Sequence, residues 1–319
     1  MVRNEPDIIR LSVLHQLRAG VDHVLLVDNR SSDETREIVE ELGRGSRVTA
    51  WRDESEWHQE AMFTELAREA FRLGADWVVP FDADEFWVAP GTSLRALLRT
   101  TDAGALEAPV VNFVQRRSGR AAAADGLLSM TRRIEQPIGP FERTRELVEA
   151  RQIAFVEMLY PPKFVSRAGR ELTIGPGNHV VGGLTAPSQP TDSLRCLHAP
   201  LRSVAALEAK ADRGRRQAAA GWPADLGWHA RYFGQMIACG ELEAEWQANT
   251  YDETGQLDVF GSTRDTVVDE SLRDAVAAVL EAERRRPAIN RLIARLAAGY
   301  TNRVSNTRPV AAEARRKRA

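Results

Sequence analysis

The chain has 319 residues, of which 28% are charged, and its formal net charge is −2. This length allows one large or two modest domains with a sizeable buried core, and the balanced charge argues against a dedicated nucleic-acid binder. No apolar run approaches the roughly 20 residues of a membrane-spanning helix. Two cysteines, Cys196 and Cys239, are too few for a disulfide framework, so we expect a cytoplasmic protein.

Lysine is rare in this sequence. Lys163, Lys210 and Lys317 are the only lysines, and arginine supplies the rest of the positive charge. Codon usage in a GC-rich genome explains such a bias, so we draw no function from it.

The first hundred residues alternate between helical and strand patterns. Apolar residues at helical spacing predict helices at 7–19 and 58–73, and residues 31–34 resemble a capping box that opens a further helix. Short apolar runs predict strands at 23–27, 47–51 and 76–81. This order is typical of an α/β fold with a doubly wound, mostly parallel sheet.

The rest of the chain has a different pattern. Short strands are predicted at 109–114, 153–159 and 163–166, and helices at 203–220, 270–285 and 288–298. We therefore expect an α/β half at 1–104, a smaller mixed β region at 105–202, a helical part at 203–300 and a flexible basic tail at 301–319.

An acidic motif directly follows the strand predicted at 76–81. Asp82 and Asp84 are two residues apart, and Glu85 follows them. In an extended chain the side chains of Asp82 and Asp84 point the same way and can share one divalent cation. A solvated acidic turn is the alternative, but ligands of such sheets bind at the carboxyl ends of the strands, where this motif falls.

Several motifs together resemble the family 2-like glycosyltransferases of the GT-A fold, in particular the bacterial branch with a D-x-D-E-F box. The residues that carry the resemblance are VRNE at 2–5, His15, GVDHVLLVDN at 20–29, SSD at 31–33, Thr35, DWVVPFDADEF at 76–86, GNH at 177–179, and LHAPLRS at 197–203 with Lys210. The first half of the match is specific in order and spacing, and it becomes looser towards residue 215.

The resemblance implies a site for a nucleotide diphosphate sugar, UDP- or GDP-linked. Asn4 and Glu5 would contact the nucleotide, although a cluster at a helix start is the alternative. Asp28 would contact the base or ribose, since Ser31 fills the helix-capping role better. Packing is favoured for Trp57, next to His58 and Gln59. The donor-binding residues are then Asn4, Glu5, Asp28, Gln59, Asp82, Glu85, Arg202 and Lys210.

The resemblance also implies Mn2+ or Mg2+ as cofactor. Asp82 and Asp84 are the metal pair, with Asp84 the more direct ligand, and His198 is expected to complete it. His179, in a glycine-rich turn, competes for this position and is otherwise assigned to the acceptor. We interpret His15, His23 and His229 as structural.

Transfer with inversion needs a general base that takes a proton from the acceptor hydroxyl. Glu142, Glu157 and Asp192 are the candidates, and we favour Glu157 and Asp192. Glu157 lies in an apolar pattern, where burial would raise its pKa, although a paired carboxylate at the edge of the core fits equally well. The late acidic doublet of the family is absent.

The sequence departs from the family at its start. Family members carry an apolar strand before the motif found here at 2–5, and only Met1 precedes it here. We expect upstream residues, another strand of the chain, or a partner chain in a homodimer to fill this place.

The sequence thus predicts a glycosyltransferase that moves a sugar to the hydroxyl of a carbohydrate or small-molecule acceptor. A sugar-nucleotide nucleotidyltransferase is one alternative, but the Gly-rich, Arg-containing loop expected after its first strand is missing. A non-catalytic nucleotide-sugar-binding module is the other alternative, and the intact Asp82 and Asp84 argue against it.

Overall fold

The structure is a computed structural model, and it describes residues 1–55, 59–121, 124–224 and 227–285. The α-helices in these ranges are α1 (Ile9–Ala19), α2 (Thr35–Leu42), α3 (Gln59–Arg72), α4 (Leu94–Thr100), α5 (Phe141–Glu149), α6 (Val204–Ala219), α7 (Trp228–Ala238), α8 (Leu242–Ala248) and α9 (Ser271–Arg285). Short 3-10 helices are Ala124–Ser129, Phe155–Glu157 and Pro176–Asn178. The predicted helix at 288–298 and the predicted tail at 301–319 lie outside the described residues.

The strands are short and spread along the whole described chain. They are β1 (Val24–Asn29), β2 (Val48–Asp53), β3 (Trp77–Val78), β4 (Glu85–Val88), β5 (Ala105–Ala108), β6 (Val110–Arg116), β7 (Arg132–Arg133), β8 (Lys163–Arg167), β9 (Thr173–Ile174), β10 (Val181–Gly182), β11 (Ser188–Pro190), β12 (Arg195–His198), β13 (Thr250–Tyr251), β14 (Gln256–Val259), β15 (Ser262–Asp265) and β16 (Val267–Val268).

These strands form several mixed sheets. The longest follows the order β15-β14-β13-β6-β12-β4, a second follows β11-β5-β8-β3, and β1 pairs with β2 in parallel. The mixed α/β class is confirmed and is consistent with a GT-A-like fold. Among the described strands, however, antiparallel pairs such as β4 with β12 and β5 with β8 outnumber parallel ones. The strands β4 and β8 run antiparallel to the strands beside them, so the sheets contain fewer parallel pairs than predicted.

The N-terminal residues contact the edge of β1 that faces away from β2. The backbone N–H of Val2 donates to the carbonyl of Val27 at 2.8 Å, and Asn29 N–H donates to the carbonyl of Val2 at 2.9 Å. Met1 and Val2 are both buried. Val2 therefore supplies part of the hydrogen-bond ladder that we expected from a longer strand before it.

Three local predictions are wrong. The strand predicted at 76–81 stops at Val78, because Pro80 has no N–H to donate to a ladder. The strand predicted at 153–159 is instead the 3-10 helix Phe155–Glu157, whose first turn is capped by the Glu157 carboxylate accepting from Ala154 N–H at 2.7 Å. Ser31 does not cap α2, since its hydroxyl accepts from Asn4 N–H.

Helix α6 is positioned by close packing against α7. A Cβ atom at Gly214 would fall 2.0 Å from the backbone oxygen of Ala230, so only glycine allows the two helices to approach this closely. Ser203 begins α6 by accepting from Ala206 N–H at 3.1 Å. This packing fixes the face of α6 that carries Lys210.

Candidate active site

Three adjacent strands align the central residues of the site. In the sheet β12 lies between β4 and β6, and His198 at the end of β12 is in register with Glu85 on one side and Asn112 on the other. The carboxyl end of β12 therefore brings the acidic motif of residues 82–85 to the same edge as His198, although the two are far apart in sequence.

The acidic motif itself forms a turn at the start of β4. Glu85 N–H donates to the carbonyl of Asp82 at 3.1 Å, and Ala199 N–H donates to the carbonyl of Asp84 at 2.9 Å. The extended geometry that would align the Asp82 and Asp84 side chains is therefore absent from this turn, and each carboxylate contacts its own set of partners.

Asp82 and Glu85 share one buried ammonium group. Lys163, at the start of β8 and only 4% exposed, lies 3.1 Å from Asp82 Oδ2 and also pairs with Glu85. Gln59 donates to Asp82 Oδ1 at 2.6 Å, and Glu85 accepts from Asp82 N–H at 3.1 Å. Burial lowers the pKa of Lys163, but the two carboxylates outweigh it and raise that pKa overall.

The two carboxyl groups respond in opposite directions. Burial opposes ionisation of Asp82, but Lys163 lowers its pKa below the ordinary value. Burial, together with the charge of Asp82, raises the pKa of Glu85 despite Lys163. The Lys163 ammonium thus keeps Asp82 ionised, and by pairing with both Asp82 and Glu85 it stabilises the turn.

Asp84 faces a different partner. His198 Nε2 lies 3.5 Å from Asp84 Oδ2, and His198 Nδ1 lies 2.7 Å from Asn112 Oδ1. Burial disfavours the Asp84 carboxylate, but His198, Lys210 and Arg202 hold its pKa well below the ordinary range. Asp84 is therefore held as a carboxylate anion.

Two further cations lie behind this pair. Arg202, which directly precedes Ser203, donates to Asp7 at 2.6 and 2.7 Å and to Glu5 at 2.5 Å, so its guanidinium is already engaged by carboxylates. Lys210 on α6 is buried with its Nζ 4.8 Å from the centre of the Phe155 ring. Within the described ranges no carboxylate forms an ion pair with Lys210, and burial lowers its pKa to about 8 although Asp84 opposes this.

The predicted nucleotide contacts lie at the ends of the first strands. Asn4 accepts from Ser32 N–H at 3.0 Å, which ties it to the loop after β1. Asp28 is 2% exposed, and neither of its carboxylate oxygens has a hydrogen-bond partner in the described part of the chain. A buried carboxylate without donors is costly to fold, and the contact of Asp28 with the base or ribose stays a prediction.

His179 lies beside the same cluster. Its Nδ1 is 3.0 Å from the carbonyl oxygen of Pro162, and its ring is 6.4 Å from that of Tyr160. The Tyr160 ring in turn lies edge-on to His198 at 5.5 Å. Burial lowers the pKa of His179 to about 4, and Lys163 adds to the effect. His179 is thus neutral at physiological pH.

The candidate bases lie apart from one another. Glu157 pairs with Arg264 at 3.2 Å and lines a cavity of about 380 Å³, and burial raises its pKa. Asp192 is exposed and lines a second cavity of about 230 Å³, which Asn112 also lines. Glu142 is exposed on α5. Within the described residues none of the three forms a hydrogen bond or an ion pair with Asp84, and their catalytic role stays a prediction.

The remaining histidines are distributed as follows. His15 is buried with Nε2 2.8 Å from the carbonyl of Trp87, a structural contact that agrees with the prediction. His23 is exposed and contacts Thr49. His229, however, stacks 5.5 Å from Phe155 next to the Lys210 side chain, so it borders the site. Trp57 and His58 lie outside the described residues.

Sequence reasoning missed Lys163, Tyr160 and Asn112. The rarity of lysine was a usable signal, because two of the three lysines, Lys163 and Lys210, are buried in this cluster. Asn112 and Tyr160 carry no such signal, since an isolated amide or phenol in an apolar pattern is ordinary.

The donor set fits a divalent cation that also binds the substrate. Within the described ranges no three His, Cys, Asp or Glu side chains gather as a complete metal site. Asp84 and His198 nevertheless offer a carboxylate oxygen and an imidazole nitrogen to one position. Mg2+ and similar ions are commonly held by one or two protein ligands together with substrate phosphates, so two ligands suffice.

The chain matches the family model described as Glycosyl transferase family 2 over residues 2–151. Residues 2–151 are therefore similar to family 2 glycosyltransferases, the family that the motifs resemble. A comparison with curated proteins finds no match. None of the described helices combines the length and apolar character that crossing a membrane requires.

Proposed function

We propose that this protein transfers a sugar from a UDP- or GDP-linked donor to an acceptor hydroxyl with the help of Mn2+ or Mg2+. The observation that carries the proposal is the pairing of Asp84 Oδ2 and His198 Nε2 at 3.5 Å at one sheet edge. Two electron-pair donors that face each other across this distance are suited to a shared cation.

The residues around this pair support a donor site. Asp84 and His198 would hold the cation, which when bound neutralises the diphosphate of the leaving nucleotide. Lys210 adds a positive charge that no carboxylate within ion-pair distance neutralises, among the residues placed by the structure. Asp28 has two free acceptor oxygens for ribose hydroxyls. Asp82 positions the turn through Lys163 and Gln59 and is a less direct ligand.

The acceptor side is less specified. Tyr160 lies beside His198, and His179 lies beside Tyr160, so we assign both to the acceptor. Glu157 or Asp192 would take the proton of the acceptor hydroxyl. Of the regions expected from the sequence, the α/β half at 1–104 would supply most donor contacts. His198 would come from the mixed β region at 105–202, and Lys210 from the start of the helical part at 203–300.

The test is donor binding followed by turnover. Isothermal titration of UDP-, GDP- and dTDP-sugars is run with and without Mn2+ on the wild type, Asp84→Asn and a control, Asp102→Asn, at an exposed position. We expect Mn2+ to strengthen binding of one donor in the wild type and the control, and to have no effect in Asp84→Asn.

Turnover separates the alternatives. Release of the nucleoside diphosphate in the presence of water or an acceptor supports a transferase. Binding without any release across an acceptor panel would indicate a binding module, and release of pyrophosphate from a nucleoside triphosphate and a sugar phosphate would indicate a nucleotidyltransferase.

A further inference from the structure

The side-chain amide of Asn112 has a defined orientation. Asn112 lies on β6 and is 8% exposed. Its Nδ2 donates to the carbonyl of Met158 at 3.1 Å, and a carbonyl can only accept. The amide oxygen therefore has to face the other way, towards His198.

This orientation decides which nitrogen of His198 carries the proton. His198 Nδ1 lies 2.7 Å from Asn112 Oδ1, and an amide oxygen can only accept, so Nδ1 has to be the donor. In the neutral ring the lone pair is then on Nε2, which points at Asp84 Oδ2 from 3.5 Å. The lone pair and the carboxylate oxygen repel each other unless a proton on Nε2 or a metal cation lies between them.

The backbone holds this arrangement before any ligand arrives. His198 and Asn112 are partners in the parallel β12–β6 register, and Asp84 is tied to β12 through Ala199 N–H at 2.9 Å. The three side chains are thus presented by adjacent rigid strands rather than by a loop.

We propose that Asn112 is a positioning residue that fixes His198 in the Nδ1–H tautomer and so directs Nε2, together with Asp84, at the cation. This inference rests on the proposed function, because it assigns the cation of that same site. A hydrogen bond to the distal nitrogen of a metal-binding histidine typically changes metal affinity by about 10–100-fold. Without Asn112, Nε2 can carry the proton and donate it to Asp84, which blocks the ligand position.

The tautomer is measurable without metal, donor or acceptor. The protein with 15N-labelled histidine is studied by two-bond 1H–15N correlation at alkaline pH, where imidazole rings are neutral. His198 is identified among the six histidines by its loss in His198→Gln. We expect the Nδ1–H form in the wild type and the Nε2–H form in Asn112→Leu.

Metal affinity is measured in parallel by titration with Mn2+ alone and with Mn2+ plus UDP. We expect Asn112→Leu to weaken Mn2+ binding by about 10–100-fold. Asn112→Asp keeps an acceptor for Nδ1–H but has no N–H to donate to the Met158 carbonyl, so it tests the tautomer alone, and we expect the Nδ1–H form. The matched control is Asn249→Leu, which removes a buried amide that bonds Val156 N–H and the Glu245 carbonyl instead. This control keeps both the tautomer and the affinity.

The outcomes are distinct. An Nε2–H tautomer in the wild type, or an unchanged tautomer and affinity in Asn112→Leu, would overturn the role of Asn112 while the transferase proposal stands. Failure of wild-type protein to bind Mn2+ with or without UDP would instead refute the metal dependence of the proposed function. The wild-type spectrum decides the tautomer even if Asn112→Leu does not fold.

Discussion

Replacement of Lys210 by methionine should make the protein more stable at neutral pH. Lys210 is 8% exposed, and burial lowers the pKa of its ammonium from 10.5 to about 8. Holding a charged group there opposes folding, because the unfolded chain solvates the charge fully. Methionine fills similar space against Phe155 without a charge.

The magnitude follows from the two pKa values. The difference between 10.5 and about 8 corresponds to about 3 kcal/mol, at about 1.4 kcal/mol per pH unit. The variant also loses the contact of the ammonium with the Phe155 ring, which destabilises it by about 1 kcal/mol. The net gain in the free energy of unfolding is therefore about 2 kcal/mol. Because the folded pKa is the lower one, the unfolded chain binds more protons between about pH 8 and 10.5. The advantage of Lys210→Met is therefore full below pH 8 and disappears as pH rises to 10.5.

The other buried lysine is the matched control, with the opposite sign. Lys163→Met leaves Asp82 and Glu85 as buried carboxylates without their shared cation, which costs about 3–5 kcal/mol. Urea unfolding of wild type, Lys210→Met and Lys163→Met at pH 7 and 10.5 measures all three. The reasoning is refuted if Lys210→Met is no more stable than wild type at pH 7, or if its advantage is the same at both pH values.

Further predictions concern the donor and the base. Asp84→Ala should abolish Mn2+-dependent donor binding and Asp82→Ala should weaken it less, as titration calorimetry measures; unchanged affinity in both variants would contradict the metal assignment. Asp28→Asn should weaken donor binding about tenfold, or about 1.4 kcal/mol, in the same titration, and equal affinity would exclude ribose contact. Glu157→Gln should lower kcat on the order of 100-fold or more and remove the acidic limb of the pH–rate profile. If the variant retains that profile, Glu157 is only the ion-pair partner of Arg264.

Much of the architecture could be predicted because it is encoded locally. The apolar spacing of 7–19 and the run before Asp28 produced α1 and β1 within two residues of the expected ends. The predictions failed where one residue altered a local pattern. Pro80 ended a strand that its apolar neighbours indicated, and the Glu157 carboxylate capped a turn in a segment that looked extended.

The candidate site was only partly accessible to sequence reasoning. The acidic motif and His198 were identified by local pattern and resemblance. Lys163 is 81 residues from its partner Asp82, and Asn112 is 86 residues from His198. No local pattern encodes such pairings, because they depend on strand order and register rather than on neighbours in the chain.

The strand order of the site also has a consequence for the order in which the protein is made. The segment that matches the family ends at residue 151, whereas Lys163, His198 and Lys210 are translated later. At about 5–20 residues per second, several seconds separate the emergence of the acidic motif from that of its counter-charges. During that interval Asp82 and Glu85 lack the ammonium that lets them be buried together. The ribosome-bound N-terminal part therefore carries the segment that matches the family before the candidate site is complete, and His198 joins that site only when β12 pairs with β4 and β6.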